Sequence, residues 1–323
     1  MQRCGACRIG KEQACDENAV RTAAYWEVER QAGETHEDFL ARAGRIYFEA
    51  QQQETAEWWR RIGVQVDLRG LRVLDIGCGH GALSADAVRR GAAHVTGVDT
   101  DPQRIRFACR HVQDRYPDLA ASVDFLSIPV AALPVEDSFD VVLSKDVFEH
   151  VQDLGGLLEE AARRIKRGGL LVCGFSPLYY SPNGDHARYR LPLPWLHAWL
   201  PQSWVHGWAS RRLGRHVRSA ADVGLNRLTL REFERLLPAH AWERVSLRIN
   251  PMEHPLRPAF DLLRRIRWLE RYFTVGVYAV YRRIPSAGSD SLRRAGNSSP
   301  AANSDDAAAP APREPTGVEG RAP

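Results

Sequence analysis

The feature that most constrains the fold is a regular alternation of short buried strands and helices between residues 71 and 175. Five apolar runs, each followed by a polar or glycine-rich turn, are predicted as strands: LRVLDI (71–76), HVTGVD (94–99), VDFLSI (123–128), FDVVLS (139–144) and LLVCGF (170–175). Helical patterns separate most of these runs. Continuous apolar strands joined through helices indicate a parallel sheet that is covered on both faces. The chain is therefore predicted to be a doubly wound α/β protein.

Composition limits the classes of function. The 323 residues are 44% hydrophobic and 26% charged, which is ordinary for a globular protein, and the formal net charge of +4 is too small for a nucleic-acid signature. No apolar run reaches the roughly 18 residues of a membrane helix, and the N-terminus lacks the apolar core of a signal peptide. A cytoplasmic location with no nucleic-acid partner is expected, and nothing predicts the oligomeric state.

The chain divides into three predicted regions. Residues 1–66 form an N-terminal segment with three cysteines followed by helices, and residues 67–284 form the main domain. A long insertion, 176–227, interrupts the rhythm of that domain after its fifth strand. Two more strands are predicted, at 242–249 and 273–284. Residues 285–323 are rich in Ser, Ala, Pro and Gly, so they are predicted to be a disordered tail.

The stretch VLDIGCGHG (73–81) raises the question of which nucleotide the domain binds. A triphosphate loop needs Lys and Ser or Thr after its glycines, and this loop has neither. A dinucleotide loop has its third glycine five positions after the first, whereas Gly77, Gly79 and Gly81 alternate. Asp75 precedes these glycines, where it would repel a pyrophosphate and suit an ammonium group. Asp99 follows Gly77 by 22 positions, a spacing that suits both ribose hydroxyls. S-adenosylmethionine has this combination of ribose and cationic group.

At this point the chain resembles the class I S-adenosylmethionine-dependent methyltransferases, and among them the type 11 and ubiquinone-pathway O-methyltransferases. The resemblance rests on four motifs in order: VLDIGCGHG (73–81), VTGVDTDP (95–102), SFDVVLSKDVFEHV (138–151) and RGGLLVCGF (167–175). It implies a three-layer α/β/α domain. Its sheet would have seven mostly parallel strands, with the last strand antiparallel.

The resemblance also implies positions for the cofactor, S-adenosyl-L-methionine. The loop from Gly77 to Gly81, with Cys78, would lie under the methionine part, Asp99 would hold the ribose, and Thr100 would border the adenine. Ser144, at the end of the fourth strand, is added to this set. One departure concerns the adenine pocket, because Pro129 stands where relatives often carry an acid. The adenine contact is then absent or comes from backbone groups near Ile128 and Val130.

Three residues are candidates for catalysis. Methyl transfer to a hydroxyl needs an oriented acceptor and a base that removes its proton. Glu149 and His150, in VFEHV, follow the fourth strand, and His186 lies in the insertion, which is predicted to cover the substrate mouth. His186 is the candidate general base. The alternative is that Glu149 and His150 begin a helix with local hydrogen bonds, and that the insertion is only a surface loop held in place by its Trp and Pro residues.

Two further features have two interpretations each. Trp195, Trp199, Trp204 and Trp208 are predicted to pack in the interior, although with nearby arginines they could instead rest on an anionic lipid surface. Cys4, Cys7 and Cys15 resemble half of a zinc site, but structural zinc takes four ligands, so a loose terminus without metal is preferred.

The predicted function is methyl transfer to a small-molecule, lipid-like or glycan acceptor, most readily at oxygen, with peripheral membrane contact left open. One alternative is a cyclopropane-synthase-like enzyme, since VFEHV also occurs in that group. The other is a cofactor-binding protein without catalysis. The acceptor and the methylated atom do not follow from the sequence.

Overall fold

The computed structural model describes residues 31–133 and 139–284. The predictions for Cys4, Cys7 and Cys15 and for the tail from residue 285 lie outside the described residues. Within the described ranges, no helix combines the length and apolar character needed to cross a membrane.

The centre of the fold is a seven-stranded sheet. Its strands are β1 (Arg72–Ile76), β2 (His94–Val98), β3 (Val123–Leu126), β4 (Phe139–Lys145), β5 (Ile165–Phe175), β6 (Trp242–Ile249) and β7 (Val277–Arg283). The spatial order is β3-β2-β1-β4-β5-β7-β6, and the first five strands of this order are parallel. β7 runs antiparallel to both β5 and β6. This arrangement confirms the predicted fold class, including the antiparallel last strand.

Ten helices surround this sheet in the described residues: α1 (His36–Ile62), α2 (Ala82–Arg89), α3 (Pro102–Arg115), α4 (Pro117–Ala120), α5 (Leu154–Arg164), α6 (Leu196–Trp199), α7 (Gln202–Leu213), α8 (Leu230–Leu236), α9 (Arg257–Leu263) and α10 (Glu270–Phe273). Local capping fixes several of their ends. α8 begins with a capping box, in which the Thr229 side chain and the Glu232 side chain bind each other's backbone amides.

Side-chain hydrogen bonds mark the ends of two further helices. The Thr35 hydroxyl accepts a hydrogen bond from the amide of Asp38 and so caps α1, which begins at His36. Two short helices, α9 and α10, lie between β6 and β7. α10 stops before β7 because the Thr274 hydroxyl binds the carbonyl of Glu270 and the Asn250 amide binds that of Phe273.

Apolar side chains form one core on each face of the sheet. Helices α5 and α8 cover one face, with Leu158 and Phe233 buried, while α1, α2 and α3 cover the other, with Trp58 and Ile105 buried. A third, smaller cluster lies within the insertion and includes Tyr189. The insertion therefore has its own packed interior. Cys78 and Cys173 are buried, Cys109 is half-buried, and none of the three forms a disulfide.

The prediction that the insertion tryptophans pack in the interior is wrong for three of the four. Trp195 is half-buried, but Trp199, Trp204 and Trp208 are exposed. Trp204 and Trp208 are exposed because α7 buries the neighbouring Val205 and Ala209 instead, and Trp199 is exposed at the end of the four-residue helix α6.

Candidate functional site

The glycine loop joins β1 to α2 at the point where the strand order reverses between β1 and β4, the usual ligand site of such sheets. The amides of Gly77 and Cys78 both donate to the carbonyl of Val98, at 2.8 and 3.0 Å, which fastens the loop to the end of β2. Gly77 has φ +71°, and a β-carbon there would lie 2.4 Å from a Val147 methyl. At Gly79, with φ +54°, a β-carbon would meet nothing closer than 4.0 Å. Gly77 is thus required by packing, whereas Gly79 faces open space.

Asp99 closes this loop from the side of β2. One of its carboxylate oxygens accepts from the Gly79 amide at 3.0 Å, and the other accepts from the Asp101 amide at 2.8 Å. Asp101 in turn caps α3, with its carboxylate bound to the amide of Gln103. The carboxylate of Asp99 is therefore held in a fixed place on the wall of the cavity beside the glycine loop.

Asp75 lies at the bottom of the same site. It is 1% exposed, and its carboxylate accepts a hydrogen bond of 2.6 Å from the Ser84 hydroxyl of α2. Burial raises the pKa of Asp75 to about 7; the Ser84 hydrogen bond opposes this shift and the negative charge of Asp99 reinforces it. A bound cation would hold such a carboxyl in its ionised form.

These groups enclose a cavity of about 400 Å³. Of the predicted cofactor residues, Asp75, Gly77, Cys78, Gly79, Asp99 and Thr100 line it. Two others do not line it. The Ser144 hydroxyl donates to the Ile76 carbonyl at 3.4 Å and so braces β4 against β1, and Gly81 packs against Phe125. The backbone stretch from Ile128 to Val130, where the acid is missing, forms another part of the wall.

The sequence did not indicate several cavity residues. Tyr47 and Gln51 reach the cavity from α1, and Arg104 reaches it from α3. The Tyr47 ring packs edge-on against His80, with ring centres 4.8 Å apart. Lys145 donates to the side chain of Gln51, which joins α1 to the end of β4. α1 precedes the glycine loop in the chain and carries no motif, so only the tertiary structure reveals this contribution.

On the other side of the cavity, the structure brings His150 and His186 together, with ring centres 4.9 Å apart. Nδ1 of His150 lies 2.8 Å from the Gly224 carbonyl, and Nε2 of His186 lies 2.9 Å from the Pro177 carbonyl. Because a carbonyl only accepts, these nitrogens carry the hydrogens. The opposite nitrogens, Nε2 of His150 and Nδ1 of His186, are left with their lone pairs. His150 lines the cavity, and His186 stands behind it.

Both rings are held neutral. The pKa of His150 is lowered to about 3, chiefly by burial and then by the neighbouring His186 and Arg188. Burial is also the largest influence on His186, whose pKa falls to about 4 although the Pro177 carbonyl opposes the shift. Both imidazoles are therefore unprotonated near pH 7.

Glu149 completes this group. It is 2% exposed, and burial raises the pKa of its carboxyl well above the usual range, reinforced by Asp146 and opposed by the amides of Glu149 and Ser176. Glu149, His150 and His186 each present one acceptor atom within 4.8 Å of the others, a spacing that could hold a metal ion. The sequence prediction of no metal stays a prediction. Glu149 and His150 lie in a turn before α5, which begins at Leu154 with Asp153 as its cap.

The segment that carries His186 has an unusual backbone. His186, Ala187, Arg190 and Trp195 have φ between +51° and +64°, a region that non-glycine residues seldom occupy. Hydrogen bonds hold it in place, among them a partly buried one of 2.6 Å from Arg188 to the Val223 carbonyl. Such clustered strain is typical of functional sites.

Comparison with known proteins agrees with this geometry. Residues 74–173 match the family model described as a methyltransferase domain. The chain is similar to the ubiquinone biosynthesis O-methyltransferase of Cereibacter sphaeroides, with 36% identity over 152 residues, 47% of this chain and 58% of that protein. A protein of the same name from Maricaulis maris is 35% identical over 41% of this chain and 50% of its own length. The chain thus spans little more than half the length of these relatives.

Among solved structures, the fold is similar to a putative S-adenosylmethionine-dependent methyltransferase from Listeria monocytogenes. The alignment has 17% identity and a TM-score of 0.49, and it covers 71% of this chain and 99% of the other.

Proposed function

We propose that this protein methylates an oxygen of a small molecule. The premise is that residues 74–173 form a methyltransferase domain of the class I S-adenosylmethionine-dependent type. One observation carries the proposal. The carboxylates of Asp75 and Asp99 and the neutral imidazole of His150 line the same cavity. A cofactor and an acceptor can therefore meet within a single enclosed space.

The cofactor residues have distinct proposed roles. Asp99 accepts hydrogen bonds from the ribose hydroxyls, and Asp75 is ionised by the ammonium group of the methionine part. The absence of a side chain at Gly79 leaves room for the ligand beside the loop. Ile128 and Val130 border the adenine through apolar and backbone contacts, in place of the missing acid.

The proposed catalytic step assigns the base. Bound S-adenosylmethionine supplies an electrophilic methyl group. The acceptor hydroxyl gives its proton to Nε2 of His150 while its oxygen forms the new bond to carbon and the sulfonium becomes a thioether. The hydrogen bond from Nδ1 to the Gly224 carbonyl keeps Nε2 free for this proton. We therefore prefer His150 over His186 as the base, and His186 and Glu149 position its ring from behind.

An oxygen acceptor is supported by the names of the curated relatives, which are O-methyltransferases. We propose a small-molecule acceptor. A lipid-like compound is preferred over a glycan because exposed tryptophans lie on the insertion near the site. Peripheral membrane contact and a cytoplasmic location belong to the same proposal.

The test is methyl transfer from tritiated S-adenosylmethionine to hydroxylated aromatic acceptors with alkyl tails of increasing length. We expect label in an ether product. His150→Gln should lower kcat by about 10²- to 10⁴-fold, the usual contribution of a general base, with little change in cofactor affinity. His94→Gln is the control, because His94 pairs with Asp124 outside the cavity. Unchanged turnover in His150→Gln would refute the base, and label in an alkyl chain of phospholipid would refute oxygen as the acceptor.

A further inference from the structure

The exposed apolar side chains are concentrated in two segments. In the described residues, ten large apolar side chains are exposed, and eight of them lie in 193–208 and 256–268. Trp204 and Trp268 are 69% and 70% exposed, and Trp199 is 60% exposed. Such concentration is unusual on a protein with no partner, because exposed tryptophan is costly in water. With the arginines that flank them, the two segments extend over 188–218 and 256–271. We call residues 188–218 and 256–271 together the tryptophan face.

Ring contacts join the two segments. Trp195 stacks on Trp199 with ring centres 5.3 Å apart, and it contacts Phe260 of the second segment and Phe273, just beyond that segment, at 6.0 and 5.7 Å. The indole nitrogen of Trp195 also donates to the carbonyl of Tyr272 at 3.1 Å. The exposed side chains of α6 and of the α9–α10 segment therefore belong to one continuous surface.

The charge on this face is strongly positive. Residues 186–221 include six arginines and no Asp or Glu, and residues 256–271 include five arginines against two acids. Both acids are paired, Asp261 with Arg257 and Glu270 with Arg231. The two segments together carry more positive charge than the formal +4 of the whole chain. A partner of opposite charge is required to complement them.

We propose that the tryptophan face docks on the surface of an anionic lipid bilayer. Indole rings prefer the boundary between lipid headgroups and acyl chains, and arginines beside them pair with anionic headgroups. A protein partner would need acidic groups around an apolar centre, whereas a bilayer supplies both across the whole face. This inference deepens the proposed membrane contact, but its test needs no methyl transfer.

The same face adjoins the candidate site. α6 begins ten residues after His186, and the ring of His197 in α6 donates to the Tyr179 carbonyl at 2.6 Å. The backbone of Trp195 also donates to the Pro182 carbonyl, in the segment that leads to His186. Docking would therefore bring the insertion side of the cavity close to the bilayer, from which a lipid-like acceptor could enter.

The experiment measures sedimentation of the full chain with vesicles of pure phosphatidylcholine or of equal parts phosphatidylcholine and phosphatidylglycerol. We expect binding to the anionic vesicles with a blue shift of tryptophan emission. The double variants Trp204→Ser/Trp268→Ser and Arg211→Glu/Arg212→Glu should each bind about tenfold less tightly or worse. All four side chains are surface groups, so the variants should retain cofactor affinity, which verifies their folding.

Matched controls lie outside the face. Val245→Ser removes an exposed apolar side chain from β6, and Arg110→Glu reverses an exposed charge on α3. Neither should change vesicle binding. Equal binding to neutral vesicles, or an equal loss in the controls, would overturn the proposal. So would tighter binding to single-stranded RNA than to vesicles, or self-association that the tryptophan variant abolishes. Vesicle binding without methyl transfer would refute the proposed chemistry alone.

Discussion

Comparing Gly79→Ala with Gly168→Ala distinguishes an effect on ligand binding from an effect of backbone strain. Gly79 has φ +54°, and Gly168, within β5, has φ +77°. A β-carbon at Gly168 would meet nothing within 4 Å, and one at Gly79 would meet only the Gly77 carbonyl, at 4.0 Å. Alanine at either position therefore suffers the left-handed conformation and no steric clash within the protein.

The expected loss of stability is the same for the two variants. A non-glycine residue in the left-handed region costs about 1–2 kcal/mol. For a protein of this size, each kcal/mol lowers the melting temperature by about 2–4 °C. Both Gly79→Ala and Gly168→Ala should therefore fold, with melting temperatures a few degrees below that of the wild type.

The two variants should differ in cofactor affinity. The methyl group at Gly79 would occupy space on the wall of the cavity, where the proposed ligand lies against the backbone. We expect titration calorimetry to show S-adenosylhomocysteine binding to Gly79→Ala at least about tenfold more weakly, which corresponds to about 1.4 kcal/mol. Gly168→Ala should bind as the wild type does. If Gly79→Ala bound within twofold of Gly168→Ala, the placement of the cofactor against this loop would be wrong.

Two further predictions concern stability. Burial, helped by the charge of Arg104, lowers the pKa of His80 to about 3, so the unfolded chain takes up a proton below about pH 6.5 that the folded protein excludes. Between pH 7 and pH 5 this histidine should lower the unfolding free energy of the wild type by about 2 kcal/mol. In His80→Asn the unfolding free energy should fall by that much less over the same range. Equal falls in the two proteins would contradict the burial of a neutral ring. Thr229→Ala removes the capping box of α8 and should lower the unfolding free energy by about 1 kcal/mol in urea titrations, whereas Ser203→Ala, at an exposed position of α7 with no capping bond, should change it much less.

The sequence predicts the frame of this molecule well because its signals are local. Apolar runs fix β1 to β5, and the glycine spacing with Asp75 and Asp99 identifies six side chains or amides that line one cavity. Those residues lie at strand ends, and the ends of adjacent parallel strands meet at one edge of the sheet. The antiparallel placement of β7 followed from the family resemblance and not from the residues alone.

Other parts of the site depend on contacts that no local pattern encodes. Tyr47 and Gln51 belong to a helix that the chain completes before the glycine loop begins, and their approach to the cavity is set by packing of α1 on α2. The tautomer of His150 depends on the Gly224 carbonyl, 74 residues later in the chain. The exposure of Trp199 could not be predicted, because α6 is only four residues long and shows no periodicity.

The central claim is that the cavity beside Asp99 binds S-adenosylmethionine, and calorimetric titration of three proteins tests it most directly. The wild type should bind with a stoichiometry of one, and Asp99→Ala should bind at least about tenfold more weakly, because charge-assisted hydrogen bonds worth about 1.5–3 kcal/mol are lost. Asp124→Ala, in the neighbouring strand β3 and outside the cavity, should bind as the wild type does. No binding by the wild type, or equal binding by Asp99→Ala, would contradict the claim.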